Sequence, residues 1–531
     1  MIPTGQRDPS ARPRAGRDLV LGVDVGTGSS KGVLSTLDGT VVDRESVAHR
    51  TAYPRPGYVE HDADGVWWAD FRRIARTLTD RAAEAGDRVV AVCASGIGPT
   101  ALLADGSGTP LRPAILYGVD TRSLPEAAEL EERYGEQDLL RRCGSRMSSQ
   151  AAGGKLLWLR RHEPEVFARA RHFFMCNSYL AFRLTGEYVL DHHSASQATP
   201  LYDRHAQDWI ADRCADVAPG LPMPRLVWPS DEVGRVTEAA AAETGIPVGV
   251  PVAAGTIDAW AEAESVDVGR PGDLMVMYGS TMFFVAVTDG PREHPALWGA
   301  AGARPGQTTL AAGMASSGSA TEWWRETVGA PPVADLVAEA AAAPPGANGL
   351  LALPYFAGER TPFADADARG ALLGLTLRST RGEVHRALLE ATAFGVRHNV
   401  ETLQDAGVEV RRVVAVGGGT GSRLWPQIVT DVTGLEQELP RDRIGASLGD
   451  AKFAAVALGA VEVGARWNVV EDVTHPQADA AAVYADLYPA YRRLHEATRD
   501  LQHQLSALER VGLDDEATAL RPGAGVSAPL G

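Results

Sequence analysis

Three short segments of this sequence combine carboxylates, hydroxyls and glycines in patterns that suit phosphate chemistry. The first runs from Asp24 to Lys31, where an acidic residue follows an apolar run and precedes two glycines and three hydroxyl residues. Small residues in a tight turn let backbone N–H groups approach a phosphate closely. Thr27 and Ser29 would add hydroxyl donors and Lys31 a charge, whereas Asp24 suits Mg²⁺ held through water. A simple hairpin turn with a buried aspartate remains an alternative explanation.

The second segment spans residues 252–261, where a run of small apolar residues leads to Asp258 and an alanine-rich stretch. As a helix cap, Asp258 would stabilise the following helix by about 1 kcal/mol. As a general base, it would accept the proton of a substrate hydroxyl during phosphoryl transfer. Taken alone, the segment favours the cap.

The third segment, 413–422, is an apolar strand that runs into three consecutive glycines and then into helical spacing over 424–433. Missing side chains leave room for a nucleotide ring or a phosphate. The segment lacks both the Gly-x-x-x-x-Gly-Lys-Ser/Thr pattern and the Gly-x-Gly-x-x-Gly pattern. Neither a P-loop nor a Rossmann-type dinucleotide site is therefore supported.

Alternating and apolar runs predict the elements that must position these segments. The chain opens with an antiparallel meander from Asp18 to Val47, and its first turn holds the first segment. A similar strand, polar turn and strand recur at 274–286, with Gly279, Ser280 and Thr281 in the turn. This weak repeat suggests a duplicated architecture with a cleft between the halves. Helical spacing is expected over 64–85, 124–133, 154–161, 164–170, 177–184, 424–433 and 480–509.

Bulk properties exclude several classes of function. The 531 residues exceed what one core usually holds, so two large domains are expected. A net charge of -17 argues against binding to nucleic acid or to an anionic membrane. The four cysteines are widely spaced, which argues against a disulfide framework or a zinc site. Without a signal peptide or a long apolar run, the expected location is cytoplasmic.

Together and in this order, the segments resemble the FGGY family of carbohydrate kinases. Asp24, Gly26, Thr27 and Lys31 match the family's Asp-x-Gly-Thr-x-x-x-Lys/Arg pattern. Further matching segments are 57–62 with Trp67 and Trp68, 177–187, 354–362, 417–434 and 446–451. The resemblance extends from about Val20 to Gly464 and is specific because so many motifs agree in order.

The resemblance implies an α/β, actin-like ATPase fold with two ribonuclease-H-like lobes and a central cleft. It implies an N-terminal sugar-binding lobe at 18–264 and a C-terminal nucleotide-binding lobe at 265–510. Composition predicts a disordered N-terminal arm at 1–17 and a disordered tail at 511–531. The expected activity is ATP-dependent transfer to an alcohol group, with ATP and Mg²⁺ as cofactors. Many relatives are dimers, so a homodimer is one expected state.

Residue roles follow from the same resemblance. Asp258 is the expected catalytic base, and Asp24 the expected carboxylate linked to Mg²⁺. The remaining expected contacts with ATP are Thr27, Gly28, Ser29, Lys31, Ser280, Thr281, Gly318, Gly418, Gly419 and Arg423.

The sugar is expected to contact loops of the N-terminal lobe. Residues 95–100 lack the Arg-Glu pair that glycerol kinases have there, so glycerol is disfavoured. The histidine of typical xylulokinases is replaced near Gly98 or Pro99, whereas Asp120 and Arg122 are retained. These four residues and Asp258 are the candidate sugar contacts, although Asp120 and Arg122 could instead be an ion pair that braces the loop.

A xylulokinase-like enzyme with D-xylulose as substrate is the leading hypothesis. The segment from Gly255 to Ala259 is closer to ribulokinases, which leaves D-ribulose, L-ribulose or a tetritol as alternatives. A non-catalytic actin-like nucleotide switch and a plain ATPase are the alternatives of another class. A switch has no need for Asp258 as a base, and a plain ATPase would release ADP at a rate that no sugar or polyol accelerates.

Overall fold

The computed structural model describes residues 16–519, so most of the expected arm and the last twelve residues of the expected tail lie outside it. Strands β1 to β23 span Asp18–Val25, Ser29–Thr36, Val41–Ala48, Glu60–His61, Arg88–Gly96, Leu102–Ala104, Ala114–Ile115, His172–Phe174, Val189–Asp191, Tyr202–Asp203, Asp208–Trp209, Arg225–Val227, Glu232–Arg235, Pro251–Ala253, Asp273–Tyr278, Met282–Thr288, Trp298–Ala301, Thr308–Met314, Leu351–Leu353, Ala371–Leu373, Arg412–Val416, Gln437–Pro440 and Val470–Thr474. Helices α1 to α16 span Ala69–Glu84, Leu124–Tyr134, Glu136–Cys143, Ala152–His162, Pro164–Arg169, Cys176–Thr185, His192–Ser196, Ala211–Val217, Glu238–Thr244, Asp258–Ser265, Gly318–Thr327, Val333–Ala342, Arg381–Asp405, Leu424–Thr433, Ala446–Ala457 and Ala478–Ala519.

The chain forms two compact units. The first contains the described residues up to Pro271 together with Val287–Leu310 and Arg441–Val469. The second contains Gly272–Ala286, Ala311–Pro440 and the described residues from Val470 onward. Two stretches of the C-terminal half, one of which contains α15, therefore fold with the N-terminal half.

The first unit is built on a mixed sheet with the strand order β13-β14-β5-β1-β2-β3. Strands β1, β2 and β3 pair antiparallel in sequence, which confirms the predicted meander, whereas β5 runs parallel to β1. This register places Asp24 beside Lys31 on one side and Ser95 on the other. The first candidate segment therefore turns at the edge where β1 and β5 both end.

The central strand β1 is buried on both faces because helices cover the sheet from each side. Helix α1 presents the apolar residues Phe71, Ile74 and Leu78, each of which is fully buried. Each such side chain contributes about 1.5–3 kcal/mol to folding. On the other face α15 approaches so closely that a Cβ atom at Gly22 would lie 2.0 Å from the Ser447 carbonyl oxygen.

The second unit repeats the strand–turn–strand arrangement. Its sheet has β18, β16, β15, β21, β22 and β23 as successive neighbours. Strands β15 and β16 form an antiparallel hairpin, and β21 pairs parallel with β15. The predicted second turn is thus confirmed, and the glycine-rich segment follows the strand beside it. Helix α13 begins at a capping box, in which Thr380 and Glu383 bond each other's backbone N–H groups.

The predicted helix at 64–85 differs from the structure at its start. Ala63–Trp68 forms a π-helical segment, and the α-helix begins only at Ala69. The Asp62 carboxylate accepts the N–H groups of Asp64 and Gly65 at 3.1 and 2.9 Å, which sets the wider first turn. The last helix extends to Ala519, beyond the predicted end at 509. Among the described residues, no helix has the length and apolar character needed to cross a membrane.

Candidate active site

Asp24 ends the central strand of the first unit and lies among polar partners. Its Oδ1 atom accepts a hydrogen bond from the Ser95 hydroxyl at 3.3 Å. Burial raises the pKa of Asp24 to about 6, although Lys31, Ser95 and His49 each favour the charged form. Burial thus makes the ionised form of Asp24 less favourable, and a cation beside the carboxylate would stabilise that form.

Asp450 is a second carboxyl group beside this strand end, and the sequence motifs did not indicate it. It lies on α15, is fully buried, and its Oδ2 atom is 2.6 Å from the Ser95 hydroxyl oxygen. Burial raises the pKa of Asp450 well above its ordinary value, and Asp24 adds to the effect. Burial and the nearby Asp24 therefore both favour the uncharged form of Asp450.

Asp258 is the first residue of α10 rather than its cap, because Ile257 occupies the capping position. Its Oδ1 atom accepts the N–H of Ala259 at 2.7 Å. Burial raises the pKa of Asp258 well above its usual range, and the negative charge of Asp24 raises it further. A simple helix cap, which the segment alone favoured, does not describe this residue.

The loop before Asp258 is held tightly in place. Gly255 has a φ of +67°, and a Cβ atom there would lie 1.8 Å from the Ala94 carbonyl oxygen, so only glycine fits. The Thr256 hydroxyl donates to the buried carboxylate of Asp191 at 2.7 Å. Asp191 also accepts the Asn177 side-chain amide at 2.9 Å. These bonds position the start of α10 and hence the Asp258 carboxyl group.

Glu262 lies one helical turn after Asp258 on the same face of α10, and no sequence motif indicated it. Burial raises its pKa to about 7, and Asp24 contributes in the same direction while Lys31 opposes it. The first unit thus gathers Asp24, Asp258, Glu262 and Asp450 around one strand end. The only sequence feature that could have predicted Glu262 as part of the site is its spacing of four residues from Asp258.

The turn from Gly26 to Ser29 follows Asp24 directly. It closes through a hydrogen bond from the Gly26 N–H to the Ser29 carbonyl oxygen at 3.1 Å. Gly28 is exposed, and a Cβ atom there would meet nothing within 4 Å. The side chain of Lys31, at the start of β2, is also exposed. The residues that were expected to face phosphate are therefore open on one side.

The second turn belongs to the second unit and is held by backbone groups. Ser280 and Thr281 are exposed, and the Gly279 N–H donates to the Thr281 carbonyl oxygen at 3.1 Å. The Gly318 N–H, at the start of α11, donates to the Gly279 carbonyl oxygen at 3.0 Å. A Cβ atom at Gly318 would lie 2.6 Å from that same oxygen. Glycine is thus required for α11 to approach the turn.

The glycine-rich loop after β21 forms a short 3₁₀ turn at Gly418–Gly421. A Cβ atom at Gly419 would lie 2.8 Å from the Trp425 ring, whereas one at Gly418 would meet nothing within 4 Å. Arg423 pairs with Asp472 and donates to the Val473 carbonyl oxygen at 3.2 Å. Gly418 is therefore an open surface, while Gly419 is needed for packing.

The candidate sugar contacts fall into two groups. Gly98 and Pro99 follow β5, and a Cβ atom at Gly98 would lie 2.5 Å from a side-chain carbon of Ile257, the residue before Asp258. Asp120 and Arg122 form a buried pair, with Arg122 Nη2 2.7 Å from Asp120 Oδ2. Arg122 also pairs with Glu60 at 2.8 Å, and Asp120 accepts the Val59 N–H at 2.7 Å. These contacts favour the interpretation of a bracing ion pair.

The donor groups beside the first turn suit Mg²⁺ bound together with a nucleotide. Within the part of the chain that the structure describes, no three His, Cys, Asp or Glu side chains are grouped as a metal cage. Mg²⁺ in ATP-dependent enzymes commonly takes one or two carboxylates and completes its shell with water and phosphate oxygens. The single carboxylate of Asp24 fits that arrangement. Burial disfavours its charged form, and a bound cation would stabilise that form.

Family models match both halves of the chain. The model described as the FGGY family of carbohydrate kinases, N-terminal domain, matches residues 19–263, and its C-terminal counterpart matches 274–458. The chain therefore belongs to the FGGY family of carbohydrate kinases. It has the actin-like ATPase fold and is an ATP-dependent phosphotransferase that acts on a small carbohydrate, as the resemblance implied.

Individual relatives extend over nearly the whole chain. Xylulose kinase of Escherichia coli (strain K12) is 29% identical over 495 residues, which cover 92% of this chain and 100% of that protein. Glycerol kinase 2 of Streptomyces avermitilis is 29% identical over 489 residues, covering 88% and 93%. The crystal structure of xylulose kinase from Rhodospirillum rubrum has a TM-score of 0.83 at 33% identity, covering 91% and 100%.

Proposed function

We propose that this kinase transfers the terminal phosphoryl group of ATP to a hydroxyl of a ketopentose, with D-xylulose as the leading substrate. The observation that supports the proposal best is the Asp258 carboxyl group at the start of α10, whose pKa is raised by burial and by Asp24. A carboxyl group with a raised pKa is a stronger base than an exposed aspartate. The chemistry of the family needs such a base next to the acceptor hydroxyl.

The proposed reaction is a direct displacement. Asp258 accepts the hydroxyl proton as the sugar oxygen forms a bond to the terminal phosphorus of ATP. The bond between that phosphorus and the bridging oxygen breaks, and ADP leaves with the electron pair. Because a metaphosphate-like transition state needs little covalent help, the protein acts mainly by positioning and by electrostatics.

We assign Mg²⁺ to Asp24, where the cation would neutralise charge on the phosphates of ATP. The turn that follows Asp24 would bind the terminal phosphate through Thr27, Gly28, Ser29 and Lys31. In the second unit the proposed nucleotide contacts are Ser280, Thr281, Gly318, Gly418 and Gly419, whereas the Arg423 guanidinium is engaged by Asp472 and the Val473 carbonyl group. Exposure of Gly28, Ser280, Thr281 and Gly418 supports these roles, since each can be reached by a ligand.

For the sugar, the proposed contacts are Gly98, which lies against Ile257 in the loop before Asp258, and the neighbouring Pro99. Asp120 and Arg122 act on the sugar only indirectly, because their polar groups bind each other, Glu60 and the Val59 backbone. Relatives named xylulose kinase support D-xylulose. A glycerol kinase of equal identity supports the polyol alternative, and D-ribulose or L-ribulose remain within the same chemistry.

The experiment is a coupled assay of ADP release with a panel of acceptors. The panel contains D-xylulose, D-ribulose, L-ribulose, erythritol, glycerol, an aldopentose and a hexose. We expect the highest kcat/KM with D-xylulose. A higher kcat/KM with a ribulose, erythritol or glycerol would overturn the substrate assignment while leaving the kinase reaction intact. ADP release that no acceptor accelerates would instead support a plain ATPase.

A further inference from the structure

The carbonyl face of the first turn is bound by two residues, His49 and Thr51, just beyond the end of β3. His49 Nε2 lies 3.2 Å from the Gly26 carbonyl oxygen and 3.1 Å from the Thr27 carbonyl oxygen. The Thr51 hydroxyl donates to the same Thr27 oxygen at 2.8 Å. The His49 backbone N–H donates to the Gly28 carbonyl oxygen at 3.1 Å. Three successive carbonyl groups of the turn are thus held from one side.

The partners of His49 determine its protonation state. Its Nδ1 atom lies 2.7 Å from Asp70 Oδ2, and this oxygen also accepts the Ser30 hydroxyl at 2.8 Å. Both ring nitrogens of His49 therefore face acceptors, and an imidazole satisfies two acceptors only when both nitrogens carry a proton. Only 6% of the side chain is exposed, so water does not replace these partners. His49 is an imidazolium in this arrangement.

The neighbouring histidine has the opposite state. Trp67 can only donate, and its Nε1–H lies 3.0 Å from His61 Nδ1, so that nitrogen accepts. The proton of His61 is then on Nε2, which donates to the Thr51 hydroxyl oxygen at 3.0 Å. This leaves the Thr51 hydroxyl hydrogen for the Thr27 carbonyl oxygen. Burial lowers the pKa of His61 to about 4, and the charge of His49 contributes.

Peptide geometry links the bound carbonyl groups to the opposite side of the turn. In a planar trans peptide the C=O of one residue and the N–H of the next point in opposite directions. With the Gly26 and Thr27 carbonyls directed to His49, the N–H groups of Thr27 and Gly28 point away from it. Among residues 16–519, neither N–H group has a protein partner. Two adjacent N–H groups directed the same way form an anion-binding concavity.

We propose that His49, charged and anchored by Asp70, is a positioning residue that holds the first turn in its phosphate-binding form. It acts on the phosphate through the backbone of Gly26, Thr27 and Gly28 and does not touch it. The inference rests on the proposed function, in which this turn binds the terminal phosphate of ATP. It adds to that function a protonated histidine that none of the phosphate motifs includes.

The charge of His49 makes the turn sensitive to pH in one direction. Burial by itself would lower the pKa of His49, but the Asp70 carboxylate and the two carbonyl oxygens raise it above its ordinary value. The other titratable groups that face it are His61, which is neutral, and Asp24, which favours the charged form. The imidazolium is therefore complete at low pH and is lost as the pH rises through the raised pKa of His49. Affinity for ATP should weaken over that same range.

The test compares His49→Gln, Asp70→Asn and a control, His162→Gln. His162 also pairs with a carboxylate, Glu126, at 3.1 Å, but it lies on α4. We expect His49→Gln to raise KM for ATP about tenfold, the loss that one charge-assisted hydrogen bond accounts for, and to leave KM for the sugar unchanged. Asp70→Asn keeps an acceptor for His49 but removes its counter-charge. It should shift the rise in KM for ATP to lower pH.

An unchanged KM for ATP in His49→Gln, or an unshifted pH profile in Asp70→Asn, would overturn the inference even if the kinase reaction is established. An equal loss in His162→Gln would show a general structural effect and would also overturn it. Thermal stabilisation by ATP without sugar gives a readout that does not depend on phosphoryl transfer. If no acceptor supports ADP release, the proposed function fails, and this readout still decides the role of His49.

Discussion

The two strand–turn–strand hairpins of this kinase, one in each compact unit, have the same order of elements but different surroundings. The turn after β1 lies among carboxyl groups from β1, α10 and α15, and four of these have raised pKa values. The turn after β15 receives backbone N–H groups and the Ser319 hydroxyl, which donates to the Ser280 carbonyl oxygen at 2.9 Å. One turn is thus surrounded by carboxyl groups with raised pKa values, and the other by neutral donors.

The difference shows that the turn itself does not determine the chemistry. A hairpin of glycine and hydroxyl residues provides N–H groups that suit phosphate in either unit. What differs is the packing beneath it, because buried carboxyl groups near β1 couple to one another through charge. We therefore propose that the first unit provides the carboxyl groups of the reaction and the second unit provides uncharged nucleotide contacts.

The largest expected effect comes from removing Asp258, the proposed base beside the first turn. Asp258→Ala should lower kcat for sugar phosphorylation by about 10²–10⁴-fold, the usual contribution of a general base. Binding of ATP should change little, because Asp258 is not assigned to the nucleotide. Steady-state ADP release and thermal shift with ATP measure the two quantities. Asp208→Ala, an exposed aspartate on β11, is the control and should keep its kcat.

A normal kcat in Asp258→Ala would show that the carboxyl groups around the first turn do not provide the catalytic base.

A second substitution adds a methyl group beside the turn after β15. In Gly318→Ala the added methyl group would lie 2.6 Å from the Gly279 carbonyl oxygen and would displace either α11 or the turn. Overpacking of this kind costs about 1–3 kcal/mol of folding free energy. We expect a lower melting temperature and a higher KM for ATP. Gly106→Ala, at an exposed loop position with no atom closer than 3.9 Å, should change neither.

Normal melting and normal KM in Gly318→Ala would contradict the close approach of α11.

A third experiment uses Asp450, whose pKa is raised by burial. Since burial raises its folded pKa above the unfolded value, the folded state holds a proton that the unfolded state releases. Stability from this group is therefore lost as the pH rises from the unfolded pKa, near 3.9, towards the folded one. Asp450→Asn carries no proton to lose and should become more stable than the native chain as the pH increases. Chemical denaturation at several pH values between 5 and 9 would measure the difference.

Parallel stability curves for the two proteins across that range would mean that Asp450 is ionised in the folded state.

The smallest expected effect concerns the glycine-rich loop of the second unit. Arg423 pairs with Asp472 at the surface, where an ion pair contributes little. Arg423→Gln should change KM for ATP by less than about threefold, because its guanidinium is already engaged. A tenfold rise in that constant, measured by ADP release, would make Arg423 a direct nucleotide contact and weaken the picture of a neutral second site.

Local patterns in the sequence were sufficient to predict much of this site. The meander, both turns and the strand before Gly417 follow from apolar runs interrupted by glycines, so their neighbours in space are also neighbours along the chain. The family resemblance then assigned roles to Asp24 and Asp258. For Asp120 and Arg122, two interpretations stayed open because the deciding partners, Glu60 and the Val59 backbone, come from another part of the chain.

Groups that reach the site through long-range packing could not be predicted. Asp450 lies more than 400 residues after Asp24, on a helix whose motif is otherwise small and apolar. His49 stands just past the end of a strand, where its pattern is that of any exposed edge residue. Its role depends on Asp70 from α1. The spacing of residues along the chain does not predict that His49, after a strand, contacts a residue on this helix.

The close approach of α15 to Gly22 has a consequence for synthesis on the ribosome. Residues 441–469 supply one face of the first unit's central strand, yet they emerge after residues 272–286 and 311–440 of the second unit have been made. Domains that are contiguous in sequence can fold as soon as they leave the ribosome. In this chain one face of β1 stays uncovered until α15 has been synthesised. A nascent chain or a fragment that stops before residue 441 therefore lacks part of the core of the first unit.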